Sequence, residues 1–449
     1  MFGGSLANKI NPIIYILIEI AARELDSKLL TALFLAKKGF RVVLGYQWAL
    51  IENRDRLPTG IFFFKGMNKV HTDSMAKVRQ FGHIVVAMEE ELLDIGMEPP
   101  KYYDYRDVFH TDANNCCHLF LASHDFEMGF VKRLIPDLDV RLTGNPRTDC
   151  LRPELVSIYD PVGEEISKTM SSGYILINTN PGMINSILSP KIFSEIQKKV
   201  APEDEEWIKR YKKRKQAETK WETYNLKSTF QLIELFGQHS PKQSVLIRPH
   251  PAERLDTYVR LSRRYPNVNV ADNKEPANPW ILASDILIHT GCTTGAEAVA
   301  MNHPTISIQE KGSEHIQFRV SNNVSYLTHT AEEAYQAVQD FYAGKLKLGD
   351  ISKLKELWPA QEGKFAAERI ADEIHQFYLN LGGMCGEFKL NPLKFKEVRL
   401  TNFHKQKMFV ELSQVERRLN QMYKHKKLPS IPVMKLGEIS CNVFDMNPF

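Results

Sequence analysis

The sequence predicts an α/β protein of two doubly wound domains with a C-terminal extension, on three observations. Short apolar strands alternate with helical stretches over residues 10–150 and again over 174–345. At 449 residues the chain is too long for one ordinary core and suits two domains of about 150–200 residues plus an extension. From about Gly382 the alternation gives way to a basic stretch ending at Phe449, with one amphipathic segment at 407–423. The expected domains are 1–160, 161–345 and 346–449. Residues 151–172 read as a linker, and a last helix after about Leu357 is expected to pack back across the junction.

The elements follow in order. The run 13-IIYILI-18 is nearly continuous and β-branched, as a parallel strand covered on both faces should be. With Glu19 inside 13-IIYILIEIAA-22 and Arg23-Glu24 directly after it, the segment is neither a membrane span nor a signal peptide. A helix over 24–40 stops at Lys37-Lys38-Gly39, a plausible C-cap. Strands are expected at 41–46, 61–65, 83–88, 118–123 and 140–144. The second set starts with a strand at 174–178 and a long charged helical region reaching about Gly237. Strands at 245–247, 267–270, 285–289 and 304–308 follow, with helices at 294–301 and 330–344. Two halves of similar size suggest two facing sheets with a cleft between them.

Composition narrows the class. The chain is 43% hydrophobic and 25% charged, with net charge +4 from 58 basic and 54 acidic residues. That balance argues against nucleic acid as the main partner. The six cysteines show no CxxC or zinc spacing, which fits free thiols in a reducing compartment and a cytoplasmic protein.

Open parallel sheets bind ligands at the carboxyl ends of their strands. Those positions hold Glu19 with Arg23, Glu89-Glu90-Glu91, 143-TGNPRTD-149 (with Asn145 and Arg147), 178-NTN-180 (with Asn178 and Asn180), 248-RPHP-251 and 289-HTGCTTGAEA-298. In the last, a strand ends at His289, and small residues through Thr293, Thr294 and Gly295 lead into a helix. Its backbone N–H groups and hydroxyls make a natural anion seat, or simply a capped helix packed on its strand. It is not a Walker loop, since GxxxxGK[ST] is absent. Glu297, one turn inside, is placed either to reach a ribose hydroxyl or to complement the helix dipole.

Proline pushes the residue before it out of the helical region, so Arg248 and His250 are both held extended. A rigid histidine at a strand exit can donate to a phosphate on the 293–295 loop, where negative charge grows as the nucleotide leaves; otherwise it only ends a strand. The glutamate triplet also has two readings. One of the three, crowded by like charges and partly buried, suits a general base for an acceptor hydroxyl, or the three are a solvated helix start.

These residues resemble the GT-B glycosyltransferases of bacterial surface-polysaccharide assembly. The closer likeness is to surface carbohydrate biosynthesis proteins akin to CMP-Kdo transferases, and more remotely to bacterial sialyl- and polysialyltransferases. It rests on REL 23–25, EEE 89–91, TGNPR 143–147, NTN 178–180, RPHPAE 248–253 and HTGCTTGAEA 289–298, in family order over about residues 10–345. The resemblance implies a GT-B fold of two Rossmann-like domains, with the nucleotide sugar on the second. It makes His250, Thr293 and Thr294 donor-phosphate residues, joined on the donor side by Asn178, Asn180, Arg248, His289, Gly295 and Glu297. Glu89 or Glu90 becomes the catalytic acid/base, with Glu19, Arg23, Asn145 and Arg147 on the acceptor side. The family's glycine after the acidic pair is replaced here by Glu91 or Leu92.

The implied donor is a CMP-sugar acting as substrate, so no cofactor is expected. No DxD-type pair stands at a strand end opposite the anion loop, so no metal is expected either. The acceptor is a glycan or lipid-linked glycan. A nucleotide-sugar 2-epimerase of the same fold, with its similar TGNxxxD segment, and a non-catalytic scaffold of an assembly complex are the rival readings. The basic run 209-KRYKKRK-215 is either a solvated helix face or a peripheral contact with the anionic inner face of the cytoplasmic membrane, which 424-KHKK-427 would extend.

Overall fold

The computed structural model describes residues 12–91, 101–170, 173–189, 205–271, 275–316, 320–346, 348, 352, 354, 363–382, 395–398, 410–425, 428, 435–440 and 443–447. The chain divides into two compact units. Residues 1–91, 106–150 and 362–449 form the first, and 92–105 with 151–361 the second.

In the first unit β1 (Ile13–Ile18), β2 (Arg41–Tyr46), β3 (Ile61–Phe64), β4 (Ile84–Met88), β5 (Leu119–Ala122) and β6 (Asp139–Leu142) run parallel in the order β2-β1-β3-β4-β5-β6. β1 is buried along its whole length, as its β-branched run requires. The chain leaves β1 for β2 on one side and returns past it to β3 on the other. The carboxyl ends of β1 and β3 therefore form the topological switch point, where open sheets leave a crevice.

The second unit repeats the principle. β7 (Ile175–Asn178), β8 (Val245–Arg248), β9 (Val268–Val270), β10 (Ile286–His289), β11 (Thr305–Ile308) and β12 (Tyr326–Thr328) run parallel in the order β12-β11-β10-β7-β8-β9. One face, with Ile175, Ile177, Ile247 and Ile288, packs on Leu232, Phe236 and Val338; the other, with Leu176, Leu246 and Leu287, packs on Ile166, Ile281 and Ala298. The switch point lies between β7 and β10, with Asn178 in register with both His289 and Arg248.

Three regions differ from the sequence reading. Residues 151–172 are not a bare linker, because Val156–Tyr159 forms a 3-10 helix and Asp160–Met170 an α-helix. Val162 and Ile166 of the latter enter the second unit's core; with so few inward apolar residues its periodicity was faint. Beyond the expected helices, the C-terminal region also supplies strands. β13 (Lys435–Ser440) and β14 (Val443–Asn447) pair antiparallel, and β14 joins β2 to extend the first sheet. KLGEIS and VFDMN carry too little apolar alternation to signal strands. The expected start of a last helix, after Leu357, lies outside the described residues. The next described helix, Ala366–Asn380, belongs to the first unit. Asp149 caps it by accepting the Ala366 and Ala367 N–H groups at 3.0 and 2.8 Å. The amphipathic segment forms helix Leu412–Lys424, with 407–409 outside the described residues.

Candidate functional site

Chemistry-bearing side chains gather at each unit's switch point. In the second unit Arg248 ends β8 buried and donates to the Glu275 carbonyl at 2.9 Å. The chain then turns so that the Ala252 N–H donates to Nδ1 of His250 at 3.1 Å. With Nδ1 accepting, the ring proton lies on Nε2, which is then the nitrogen able to donate. Glu253 holds this turn. Its fully buried carboxylate accepts from the His250 N–H at 3.0 Å, Thr179 Oγ1 at 2.6 Å, Asn185 Nδ2 at 3.1 Å and Tyr258 OH at 2.5 Å. Burial pushes that carboxyl up, and these donors pull it back. RPHPAE thus folds as one unit, with Glu253 fastening His250 to the end of β7.

The loop after β10 is fastened in the same way. Thr290 Oγ1 donates to Asn180 Oδ1 at 2.7 Å, and Asn180 Nδ2 returns a bond to the Thr290 carbonyl at 3.1 Å. Asn225 donates to both acceptors at 3.2 Å. Gly291 takes φ +83°, a region that favours glycine. Helix Thr293–Ala300 starts at Cys292 with no side-chain cap bond. The Thr293 hydroxyl is partly exposed and has no hydrogen-bond partner among the described residues, whereas Thr294 donates to Cys292 Sγ at 3.1 Å. Between this loop and His250, Asn178 is 2% exposed, and neither its Oδ1 nor its Nδ2 has a partner. A buried amide left unsatisfied is costly to fold. Neighbouring strands lie about 4.8 Å apart, so β8 and β10, which flank β7, end about 10 Å apart, within the span of one nucleotide.

His289 is placed differently from the expectation that it meets the donor. It is fully buried, Nδ1 accepts the Gly291 N–H at 3.1 Å, and Nε2 meets Ser325 Oγ at 2.9 Å. Burial pushes it down to about 3, so it is neutral. A Cβ on residue 295 would stand 2.2 Å from Nε2, which is why a glycine lies there. His289 therefore supports the loop from beneath. Asn180 is likewise spent on loop structure, and Glu297 is buried on its helix.

In the first unit Lys65, directly after β3, is the centre. It is 2% exposed and bonds Glu19 at 2.7 Å, Glu24 at 2.9 Å and Glu91 at 2.8 Å. Glu24 also accepts the Glu19 and Ile20 N–H groups, closing the start of helix Ala21–Lys37. Burial raises Glu24, and Lys65 and Lys28 more than offset it, leaving it low. Lys65 holds Glu91 well below the usual carboxylate range.

The glutamate triplet divides three ways. Glu90 is 1% exposed and pairs with fully buried Lys28, whose ammonium also stands 4.9 Å from the Phe63 ring centroid. Burial pushes Glu90 up. Glu89 is buried too, accepting the Glu91 N–H at 2.8 Å. Glu91 carries the exposed carboxylate and faces Arg23 at 3.9 Å. Asn145 and Arg147 anchor the triplet by donating to the Glu90 carbonyl at 3.3 and 3.1 Å. Residues that strand-end reading missed include Lys28, Lys65, His71 and Glu127. A lysine following four buried residues, 61-IFFFK-65, and the i,i+4 pair Glu24/Lys28 were the available signals.

Among the described residues no group of His, Cys, Asp and Glu is arranged to hold a metal, and no helix is long and apolar enough to cross a membrane. No protein-family model matches the chain, and no curated protein does. Solved structures do. A histidine-to-asparagine variant of the wall teichoic acid polymerase TagF matches at TM-score 0.50 and 11% identity, over 83% of this chain and 90% of that one. The Methanocaldococcus jannaschii UDP-GlcNAc 2-epimerase, in complex with UDP-GlcNAc and UDP, matches at TM-score 0.49 and 10% identity, over 81% and 99%. The Neisseria meningitidis UDP-GlcNAc 2-epimerase bound to UDP-GlcNAc matches at 0.46 and 12%, over 82% and 99%. At such identities the likeness speaks to the fold, and the fold is GT-B.

Proposed function

We propose that this protein is a metal-independent glycosyltransferase that moves a sugar, Kdo or a related nonulosonate, from a CMP-activated donor to a surface-polysaccharide acceptor. The observation that carries the reading is the second switch point, where an Nε2–H donor on His250, an uncapped helix start at Thr293 and the unpartnered amide of Asn178 stand at adjacent strand ends. In the transfer, an acceptor hydroxyl attacks the anomeric carbon, the bond from that carbon to the phosphate oxygen breaks, and CMP departs with the electron pair. Charge grows on the departing phosphate, where the His250 N–H, the Thr293 hydroxyl and the helix start would stabilise it. Glu253 and Asn180 act at one remove, holding the histidine turn and the loop. In the first unit the acceptor's proton goes to a carboxylate of the 89–91 run. Glu89 suits this better than Glu90, which is locked to Lys28.

The TGNxxxD segment does not favour the epimerase, since Asp149 is consumed in capping helix Ala366–Asn380. Lys209, Lys212 and Lys213 are exposed along the basic helix and support a peripheral contact with an anionic membrane at the cytoplasmic face. The test is incubation with CMP-Kdo or CMP-sialic acid, following CMP release with and without acceptor glycan. Acceptor-dependent CMP release is expected. A free sugar product without acceptor would make the protein an epimerase-type enzyme, and no turnover with any nucleotide sugar would leave a scaffold.

A further inference from the structure

The amide of Asn178 bears on which part of a nucleotide sugar meets the second unit's sheet. The inference rests on the sugar-transfer reading and names a specificity residue for it. Side chains alternate across a strand, and Leu176 shares its face with Leu246 and Leu287. Asn178, Arg248 and His289 follow two residues later on the same three strands, in register, and so stand on that face too. Helix Thr293–Ala300 covers the face through Ala298, and the His289 ring, one strand from Asn178, lies against its first turn at Gly295. The Asn178 amide therefore lies beside the helix start, between the strands that lead to His250 and to Thr293.

Its neighbours are already engaged. Arg248 donates to the Glu275 carbonyl at 2.9 Å. Both ring nitrogens of His289 are taken, by the Gly291 N–H at 3.1 Å and by Ser325 Oγ at 2.9 Å. Asn180 is closed on Thr290 at 2.7 and 3.1 Å. Asn178, 2% exposed, keeps Oδ1 and Nδ2 without a partner among the described residues. A leucine of similar size would fill the same space without that cost, so the fold itself does not ask for an amide here.

An amide offers an acceptor oxygen and two N–H donors, and a group that satisfies it must donate as well as accept. Phosphate and carboxylate only accept, and either would set its charge against Oδ1. Neighbouring hydroxyls do both, one donating to Oδ1 while the next accepts from Nδ2. The two groups that flank a nucleotide sugar's phosphate, the ribose and the transferred sugar, both carry them. The base also donates and accepts, but it stands beyond the ribose from the phosphate, whereas the proposed phosphate donors lie on either side of Asn178. We propose that Asn178 is a specificity residue that binds hydroxyls of the ribose or of the transferred sugar, and that the phosphate is left to His250, Thr293 and the helix start.

The test is calorimetry on the full chain, wild type and Asn178→Leu, with CMP, its 2′- and 3′-deoxy counterparts, UMP and CMP-sialic acid. If the ribose is held, wild type should bind CMP about tenfold more tightly than a deoxy form. If the sugar is held, CMP and its deoxy forms should bind alike, and Asn178→Leu should weaken CMP-sialic acid alone, by about the same factor. In either case the difference should vanish in Asn178→Leu while its melting temperature stays or rises, because the substitution removes a buried amide from the free chain. Affinities equal in wild type and variant for every ligand would overturn the assignment. So would a preference for CMP over UMP that disappears in Asn178→Leu, which would give the amide to the base. Binding of no nucleotide at all would sink the donor reading as well, whereas CMP bound without regard to residue 178 or to any hydroxyl would sink this inference alone.

Discussion

The two switch points solve the same geometric problem with opposite materials. In the first unit, full charges are packed together, five glutamates from the ends of β1 and β4 and the start of a helix around two buried lysines. In the second, the groups set around the strand ends are mostly neutral, a histidine, two asparagines and a threonine beside a helix start; its two buried charges are Glu253, wrapped in hydrogen bonds, and Arg248, which donates to the Glu275 carbonyl. A charged nest fixes carboxylates in place. The mostly neutral donors and helix dipole of the second switch point suit the proposed reading, in which the nucleotide arrives charged and leaves with more.

The comparison breaks most sharply at Lys65. Replacing it by Met leaves Glu24 buried without its closest cation, and breaking such a pair costs about 3–5 kcal/mol. Denaturant unfolding of Lys65→Met should show a loss of that order; a loss within the range of a surface substitution would mean the nest is held by something other than this lysine. Next is His250, one transition-state donor in the proposed transfer. CMP-forming turnover of His250→Ala should fall by about 10²–10³ with an unchanged melting temperature, while Thr293→Ala should mainly weaken CMP binding in calorimetry. Near-wild-type turnover in His250→Ala would reduce the histidine to a strand terminus.

A smaller effect sharpens the electrostatic side of the contrast. Glu127 is fully buried, accepts the Ser123 N–H at 2.5 Å, and is pushed up by burial to about 8 from the usual 4.5. The folded chain then keeps a proton that the unfolded chain releases between those values. The stability this carboxyl contributes is complete below pH 4.5 and is lost as pH rises towards 8. Relative to Glu127→Gln, the wild type should lose on the order of 1 kcal/mol per pH unit across that window in urea titrations. A parallel pair of curves would show that Glu127 is ionised in the fold. The smallest expected effect is none at all, since EDTA should leave turnover unchanged. A strict need for Mg²⁺ or Mn²⁺ would show that the second switch point's donors are insufficient for the leaving group.

Much of this architecture was legible because parallel strands buried on both faces leave unbroken apolar runs. IIYILI and VLIR announce themselves, and the residues after them fall at the sheet's ligand edge. Strand ends also located Glu19, Asn178, Arg248 and His250. What they could not tell is which way a side chain turns. His289 looks identical in sequence whether its ring meets a ligand or lies under Gly295, and only the packing of the following helix decides. Lys65 was hidden for a related reason, because a lysine after a strand reads as solvated until three carboxylates from separate segments are seen around it. The hairpin β13–β14 left no signal, since antiparallel pairing on an edge asks little of its sequence.

That hairpin also bears on the order of events during synthesis. The second unit is complete once residue 361 has been made, whereas the first must wait for 443–447 to close against β2, with Arg41 pairing to Asp445. Until then β2 presents an open row of backbone donors and acceptors, the kind of edge on which chains pair with one another. The later half of the chain therefore matures first. A ribosome that stalls or terminates beyond the second unit releases a chain with a finished second unit and an adhesive, unfinished first.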